Sequence, residues 1–212
     1  MTLDALKRFA APREHRPTPQ GSEERCELCA QPIQEEHSHV VDVQARRLHC
    51  ACRACYLLFI RDGAADGKLR AVPERYRFAP AFRLDEAAWA QLEIPVRTAF
   101  FIRSSQSGRS MAFYPSPAGA TESLLGLSEW DEIVRLNPVL ATVEPDVEAL
   151  LIHGKRDGGR FDCFLVPINA CYELVGRVRQ TWRGFDGGAE AWAGIDAFFA
   201  ALRDRCQEVT AP

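Results

Sequence analysis

CELCAQPIQEEHSHVVDVQARRLHCACRACYLLF, residues 26–59, holds five of the chain's eight cysteines within thirty residues. Its reading decides how the N-terminal part of the chain folds. Cys26 and Cys29 make one C-x-x-C, and Cys52 and Cys55 make a second, with twenty-two residues between the pairs. Two thiol pairs at this spacing point to a four-thiolate zinc site, since each pair sits on a tight turn that offers both sulfurs to one ion. HSHVVDVQARRLHC, residues 37–50, reads as two strands around a polar turn, which brings the pairs together. RACYLLFI, directly after Cys52, reads as the start of a helix, and a helix N-terminus favours the thiolates that bind metal. Knuckle, hairpin, and knuckle on a helix start predict a zinc-ribbon or treble-clef-like module over residues 22–67. A module of this size buries too little apolar surface to fold alone, so metal binding supplies much of its folding free energy.

Cys50 is a fifth thiol for four positions. It is the alternate ligand to Cys52, but Cys50 and Cys55 form no two-residue knuckle, so the expected metal ligands are Cys26, Cys29, Cys52 and Cys55. His37, His39 and His49 are candidate further ligands or supporting donors, but the preferred reading is alternating polar residues on the open face of the hairpin. Iron is the alternative to zinc, because four thiolates suit either metal. Rubredoxin-type iron knuckles usually carry a following glycine, and here Ala30 and Tyr56 stand at those positions. Four thiolates close the coordination sphere and leave no position for water, which marks a structural ion. The deaminase pattern H-x-E with P-C-x-x-C is absent, and so is H-E-x-x-H.

With 212 residues, 47% hydrophobic and 26% charged, the chain has the composition of a globular protein. A net charge of -3 gives no global pull toward nucleic acid or anionic lipid. No secretory signal or membrane-length apolar run is recognisable, so a cytoplasmic setting without membrane insertion is expected, where close cysteines favour metal over disulfides. TLDALKRFA predicts a short N-terminal helix. Three prolines and a glycine in APREHRPTPQGSEE then predict a linker, so that residues 1–21 form a helix and a flexible connection. RDGAADGKL closes the cysteine module near residue 67.

Residues 68–212 read as an α+β domain. KLRAV and RYRFA predict strands, and DEAAWAQLE a helix capped by Asp85. RTAFFIRS and SMAFYPS predict a hairpin around Gly108, LSEWDEIVRLN a helix capped by Ser128, and VEALLIHGK with RFDCFLVP a second hairpin. Two helices, about 169–182 and 189–207, finish the chain. Paired strands with helices between and after them favour an antiparallel sheet covered on one face. Cys163 and Cys171 sit in apolar surroundings and read as small buried hydrophobes, and His153 is the one histidine of this domain available to a thiol. G-x-S-x-G, Walker A and G-x-G-x-x-G are all absent. YPSPAGATES, residues 114–123, reads first as a turn linking the hairpin to a helix, with a loop that offers amides and hydroxyls to a ligand as the alternative. Trp182, Arg183, Phe185 and Trp192, around a Gly-rich turn, are the candidate partner-binding residues.

RCELCAQPI, HCACRACYLLF, PVRTAFFIRS, YPSPAGATESLL, NPVLATVEPDVEALLI and VPINACYELVGRVRQTWRGFDGG, in that order and followed by an amphipathic helix, resemble an uncharacterised bacterial protein family. Its members are often encoded beside uptake NiFe-hydrogenase genes. The resemblance runs from about residue 22 to the C-terminus and implies a role in hydrogenase maturation, assembly or electron delivery. CACRAC belongs to the family pattern, so it gives Cys50 a place of its own. Two readings follow: a non-catalytic zinc-binding accessory protein that docks on a hydrogenase subunit or maturation factor, or an iron-binding redox protein that passes electrons through the cysteine cluster.

Overall fold

A computed structural model describes residues 24–61, 63–123, 128–155, 158–184 and 186–209. The expected N-terminal helix and linker lie outside the described residues, as does Phe185. The hairpin and the helix start expected in the cysteine region are both present. β1 (Ser38–Asp42) and β2 (Arg47–Ala51) form an antiparallel hairpin. Its turn is closed by Asp42, whose Oδ1 accepts the Ala45 amide at 2.8 Å, and by Arg46 at φ 52°. α1 (Arg53–Leu58) starts at Cys52, whose sulfur accepts the Cys55 amide at 3.5 Å.

The three-stranded sheet runs past the boundary expected at residue 67. β3 (Leu69–Ala71) pairs with β1, Val40 opposite Ala71 and Asp42 opposite Leu69, giving the order β2-β1-β3. The pleat splits the hairpin's side chains between two cores. Val40 and Ala51 pack on Cys26, whereas Val41, Val43 and Val72 pack into the core of the larger sheet.

That larger sheet has seven strands: β4 (Arg77–Phe78), β5 (Thr98–Arg103), β6 (Ser110–Ser116), β7 (Gly119–Ser123), β8 (Glu148–Gly154), β9 (Phe161–Pro167) and β10 (Gln207–Glu208). Their order is β10-β4-β9-β8-β5-β6-β7, antiparallel except where β10 runs parallel to β4. The fold is therefore α+β, with the four-cysteine cluster preceding the main sheet. Asp85 caps α2 (Glu86–Gln91) as expected, accepting the Ala88 amide at 2.8 Å. α3 (Ser128–Leu136), α4 (Ile168–Thr181) and α5 (Gly188–Arg205) are the other α-helices among the described residues.

Both faces of the sheet are covered, not one. Leu174, Val178, Ile195 and Phe199 of α4 and α5 pack on Phe100, Leu151 and Phe164. Trp89 of α2 and Trp130 and Ile133 of α3 cover Phe101, Ile152 and Leu165 on the other face, where Trp130 stacks on Phe101 at 3.8 Å. The physical reason is written in β8 and β9, whose runs Ala149–Ile152 and Cys163–Val166 are buried without a break. Alternation is the pattern of a half-covered strand, and these two lack it.

YPSPAGATES is not a loop. It forms β6 and β7 with Pro117 and Ala118 as a two-residue turn between Ser116 and Gly119. Ser116 Oγ donates to the Gly119 carbonyl at 3.0 Å and accepts the Ala118 amide at 3.1 Å, so this hydroxyl is spent inside the hairpin.

An ion cluster joins the segment after β3 to the start of β8. Glu148 is fully buried, and its carboxylate accepts from Arg75 Nε at 2.7 Å, from Arg77 Nη2 at 3.0 Å and from the Glu144 amide at 2.8 Å. Arg70 of β3 donates to the Pro145 carbonyl at 2.7 Å.

Candidate metal centre

The first knuckle is a tight turn in which the Ala30 amide donates to the Cys26 carbonyl and the Cys26 amide to the Gln31 carbonyl, both at 2.8 Å. Ala30 holds φ at 60°, the left-handed region that glycine enters without penalty. Ala30→Gly is therefore expected to stabilise the zinc-loaded protein by about 0.5–1 kcal/mol, read as a higher denaturant midpoint. An unchanged or lower midpoint would mean that the turn relaxes in solution.

The Glu27 amide donates to the Cys50 carbonyl at 2.9 Å, docking the first knuckle along the open edge of β2. The second knuckle is the first turn of α1. Together they place the sulfurs of Cys26, Cys29, Cys52 and Cys55 within 4.8 Å of one another. Cys29 Sγ and Cys52 Sγ are 3.6 Å apart, far beyond the ~2.05 Å of a disulfide. A tetrahedron with metal–sulfur bonds of about 2.3 Å has corners about 3.8 Å apart, so the thiols fit a four-coordinate ion. All eight cysteines are unbridged.

The sulfurs are electrostatically divided. Burial pushes the Cys26 thiol up, but the amides of Cys52, Leu28 and Cys29 outweigh it and bring the thiol down to about 6. Burial and the neighbouring thiols push Cys55 up to about 12. These opposed shifts reflect crowding, since sulfurs this close cannot all be anionic unless a cation lies between them.

Cys50 falls outside this tetrad. It stands opposite His39 across the hairpin, and His37, His39 and Cys50 form a second group with ligand atoms within 4.8 Å. The open-face reading of these two histidines is thereby corrected. Both are half-buried, their rings lie 4.7 Å apart, and burial with the nearby His37 holds His39 down to about 4. His49, opposite Val40, lies 3.8 Å from Glu27. Sequence reading passed over Glu27, which accepts the Cys50 amide at 2.7 Å and Arg47 at 2.6 Å, holding its carboxyl below the usual range. Its only signal was a carboxylate inside a C-x-x-C.

Trp182 and Trp192 are half-buried against the main core, their rings 5.8 Å apart. Their indole N–H groups donate to Gly184 and Asp186 carbonyls at 3.2 and 2.8 Å, bracing the turn before α5. Arg183 is exposed and donates to the Gln180 carbonyl at 2.9 Å. A feature not read from sequence lies beside the tetrad, where Leu57, Leu58 and Ile60 are exposed on and just after α1.

Among the described residues of the larger domain, no nucleophile–base pair emerges. Cys163 and Cys171 are buried, which pushes both thiols far above their ordinary value. His153 Nδ1 hydrogen-bonds Thr98 Oγ1 at 2.8 Å and its ring stacks on Phe199 at 3.8 Å. Burial lowers His153 from 6.5 to about 4. The unfolded chain takes up a proton below pH ~6.5 that the folded chain refuses until pH ~4, so stability falls as pH falls through that window, by about 3 kcal/mol at most. His153→Gln keeps a partner for Thr98 and should flatten the denaturation midpoint between pH 7 and 4.5 relative to wild type. Parallel curves for the two proteins would contradict this assignment. Among the described residues, no helix is long and apolar enough to cross a membrane.

No curated protein and no solved structure matches the chain. A family model does, over residues 25–206, a span that takes in both knuckles, the histidine–cysteine group and every strand of the larger sheet except β10. The chain therefore belongs to the Family of unknown function (DUF5947).

Proposed function

We propose that this chain is a non-catalytic zinc-binding accessory protein that acts by docking on a protein partner. The observation that carries the reading is the tetrad itself: four sulfurs within 4.8 Å of one another on two knuckles. Such a set encloses an ion completely, so it organises a fold rather than activating water. Among the described residues, the larger domain offers no competing catalytic constellation. The cleft lined by Phe82, Asp85, Glu132 and Leu136 has its carboxylates engaged, Asp85 as a helix cap and Glu132 with Arg135.

The partner belongs to NiFe-hydrogenase maturation or assembly in a reducing cytoplasm. That part of the reading rests on the family resemblance of the sequence motifs. The test is to purify a tagged full-length chain from a host that expresses its hydrogenase genes. Colourless protein with tetrad zinc that enriches a hydrogenase subunit or maturation factor, and loses it in Cys29→Ser, supports the reading. Colour that bleaches with dithionite would favour iron and electron transfer instead, and zinc without hydrogenase enrichment would overturn the partner.

A further inference from the structure

We infer that His37, His39 and Cys50 form a second transition-metal site, separate from the tetrad, which binds a zinc-class divalent cation through three protein ligands and leaves a fourth position open. Three observations converge on it. The cross-strand register places Cys50 of β2 directly opposite His39 of β1, and the ligand atoms of His37, His39 and Cys50 lie within 4.8 Å of one another. Two imidazoles and one thiolate suit zinc and its borderline neighbours.

The second observation is the state of His37. Its Nδ1 lies 2.9 Å from the Gln34 carbonyl and 3.0 Å from the Glu35 carbonyl. Carbonyls only accept, so Nδ1 carries a proton, and in the neutral ring Nε2 then carries the lone pair. That Nε2 is buried and has no hydrogen-bond partner, in a side chain only 11% exposed. A buried acceptor left unsatisfied is destabilising, and a metal is a partner that fits. Metal-binding histidines are commonly fixed in this way, one nitrogen held by a backbone carbonyl and the other free for the ion.

The third observation separates the sites. Val40 and Ala51 pack on Cys26 of the tetrad, and the pleat sends His39 and Cys50, one residue away on each strand, to the opposite face. A shared ion would have to pass through the hairpin. The tetrad is closed, whereas three ligands leave room for an exchangeable one. The site therefore adds metal handling to the structural role proposed above and does not depend on the docking partner.

Cobalt(II) titration of the chelator-stripped, reduced full-length protein tests it. Wild type should bind two equivalents. The first should give a tetrathiolate spectrum, and the second about a quarter of the first's sulfur-to-cobalt absorbance, having one thiolate against four. Cys50→Ser and His39→Gln should each lose the second equivalent and keep the first, whose tetrathiolate bands also report that the hairpin is folded. In the zinc-loaded protein a mild chelator should release one equivalent well before the other. One equivalent in wild type, or two in both variants, would overturn the proposal. If neither variant folds, the decision falls to the wild-type second equivalent: tetrahedral bands with single-thiolate intensity uphold the site, and bands without sulfur absorbance refute it.

Discussion

Serine at position 55 is expected to abolish metal binding at the tetrad and to unfold the hairpin and α1. Metal binding in small zinc modules supplies on the order of 10 kcal/mol of folding free energy. Apart from the cysteines themselves, the module's own core is small, comprising Val40 and Ala51 with the partly buried Leu28, Ile33, Phe59 and Leu69. Chelation of the wild type should reproduce the result. The damage should not stop at the module, because Val41 and Val43 of the hairpin also cover the main core and losing them exposes that patch. Limited proteolysis should cut within residues 24–61 and leave a resistant fragment containing the seven-stranded sheet. An unchanged digestion pattern after complete metal removal would show that packing alone holds the module.

Glu148→Ala has the second largest expected effect. The carboxylate is the fully buried member of its cluster, and Arg75 and Arg77 converge on it. Removing it leaves Arg77, 16% exposed, with an uncompensated charge in a desolvated place. Breaking such a pair from one side costs about 3–5 kcal/mol, or roughly 10 °C in melting temperature for a domain of this size. Glu148→Gln should cost less, since the amide oxygen still accepts hydrogen bonds. The cluster joins the segment after β3 to β8, so loosening it should also speed proteolysis between residues 71 and 77. A melting temperature within two degrees of wild type, measured as roughly the error of one scan, would show that the arginines escape to solvent.

What the sequence disclosed follows from how local each signal is. The paired C-x-x-C spacing, the polar turn from Val43 to Arg46 and the Cys52 helix start depend on neighbours within a few residues, and the tetrad formed as those signals implied. Asp85 and the Gly108 hairpin were legible for the same reason. Cys50 was not, because its partner is set by register: His39 meets it only if the turn has the length it does, and a shift of one residue would send it to the other face. The left-handed backbone at Ala30 within the first knuckle was not legible, since an alanine carries no glycine signature. The unbroken apolar runs at 149–152 and 163–166 did signal a sheet covered on both faces, but they were read through the helix count instead. Ser116-Pro117-Ala118-Gly119 looked like loop composition because the strands it joins are short and rich in small residues. The Glu148 cluster joins residues about seventy positions apart, beyond the reach of any local pattern.

The central claim is that four cysteines enclose one zinc ion. X-ray absorption at the zinc edge of Cys50→Ser, which keeps the tetrad and removes the thiolate of the second group, tests it most directly. The account predicts a single shell of four sulfurs at about 2.3 Å with no nitrogen or oxygen scatterer. Fewer than four sulfurs, a nitrogen or oxygen in the first shell, or no stoichiometric metal would contradict it.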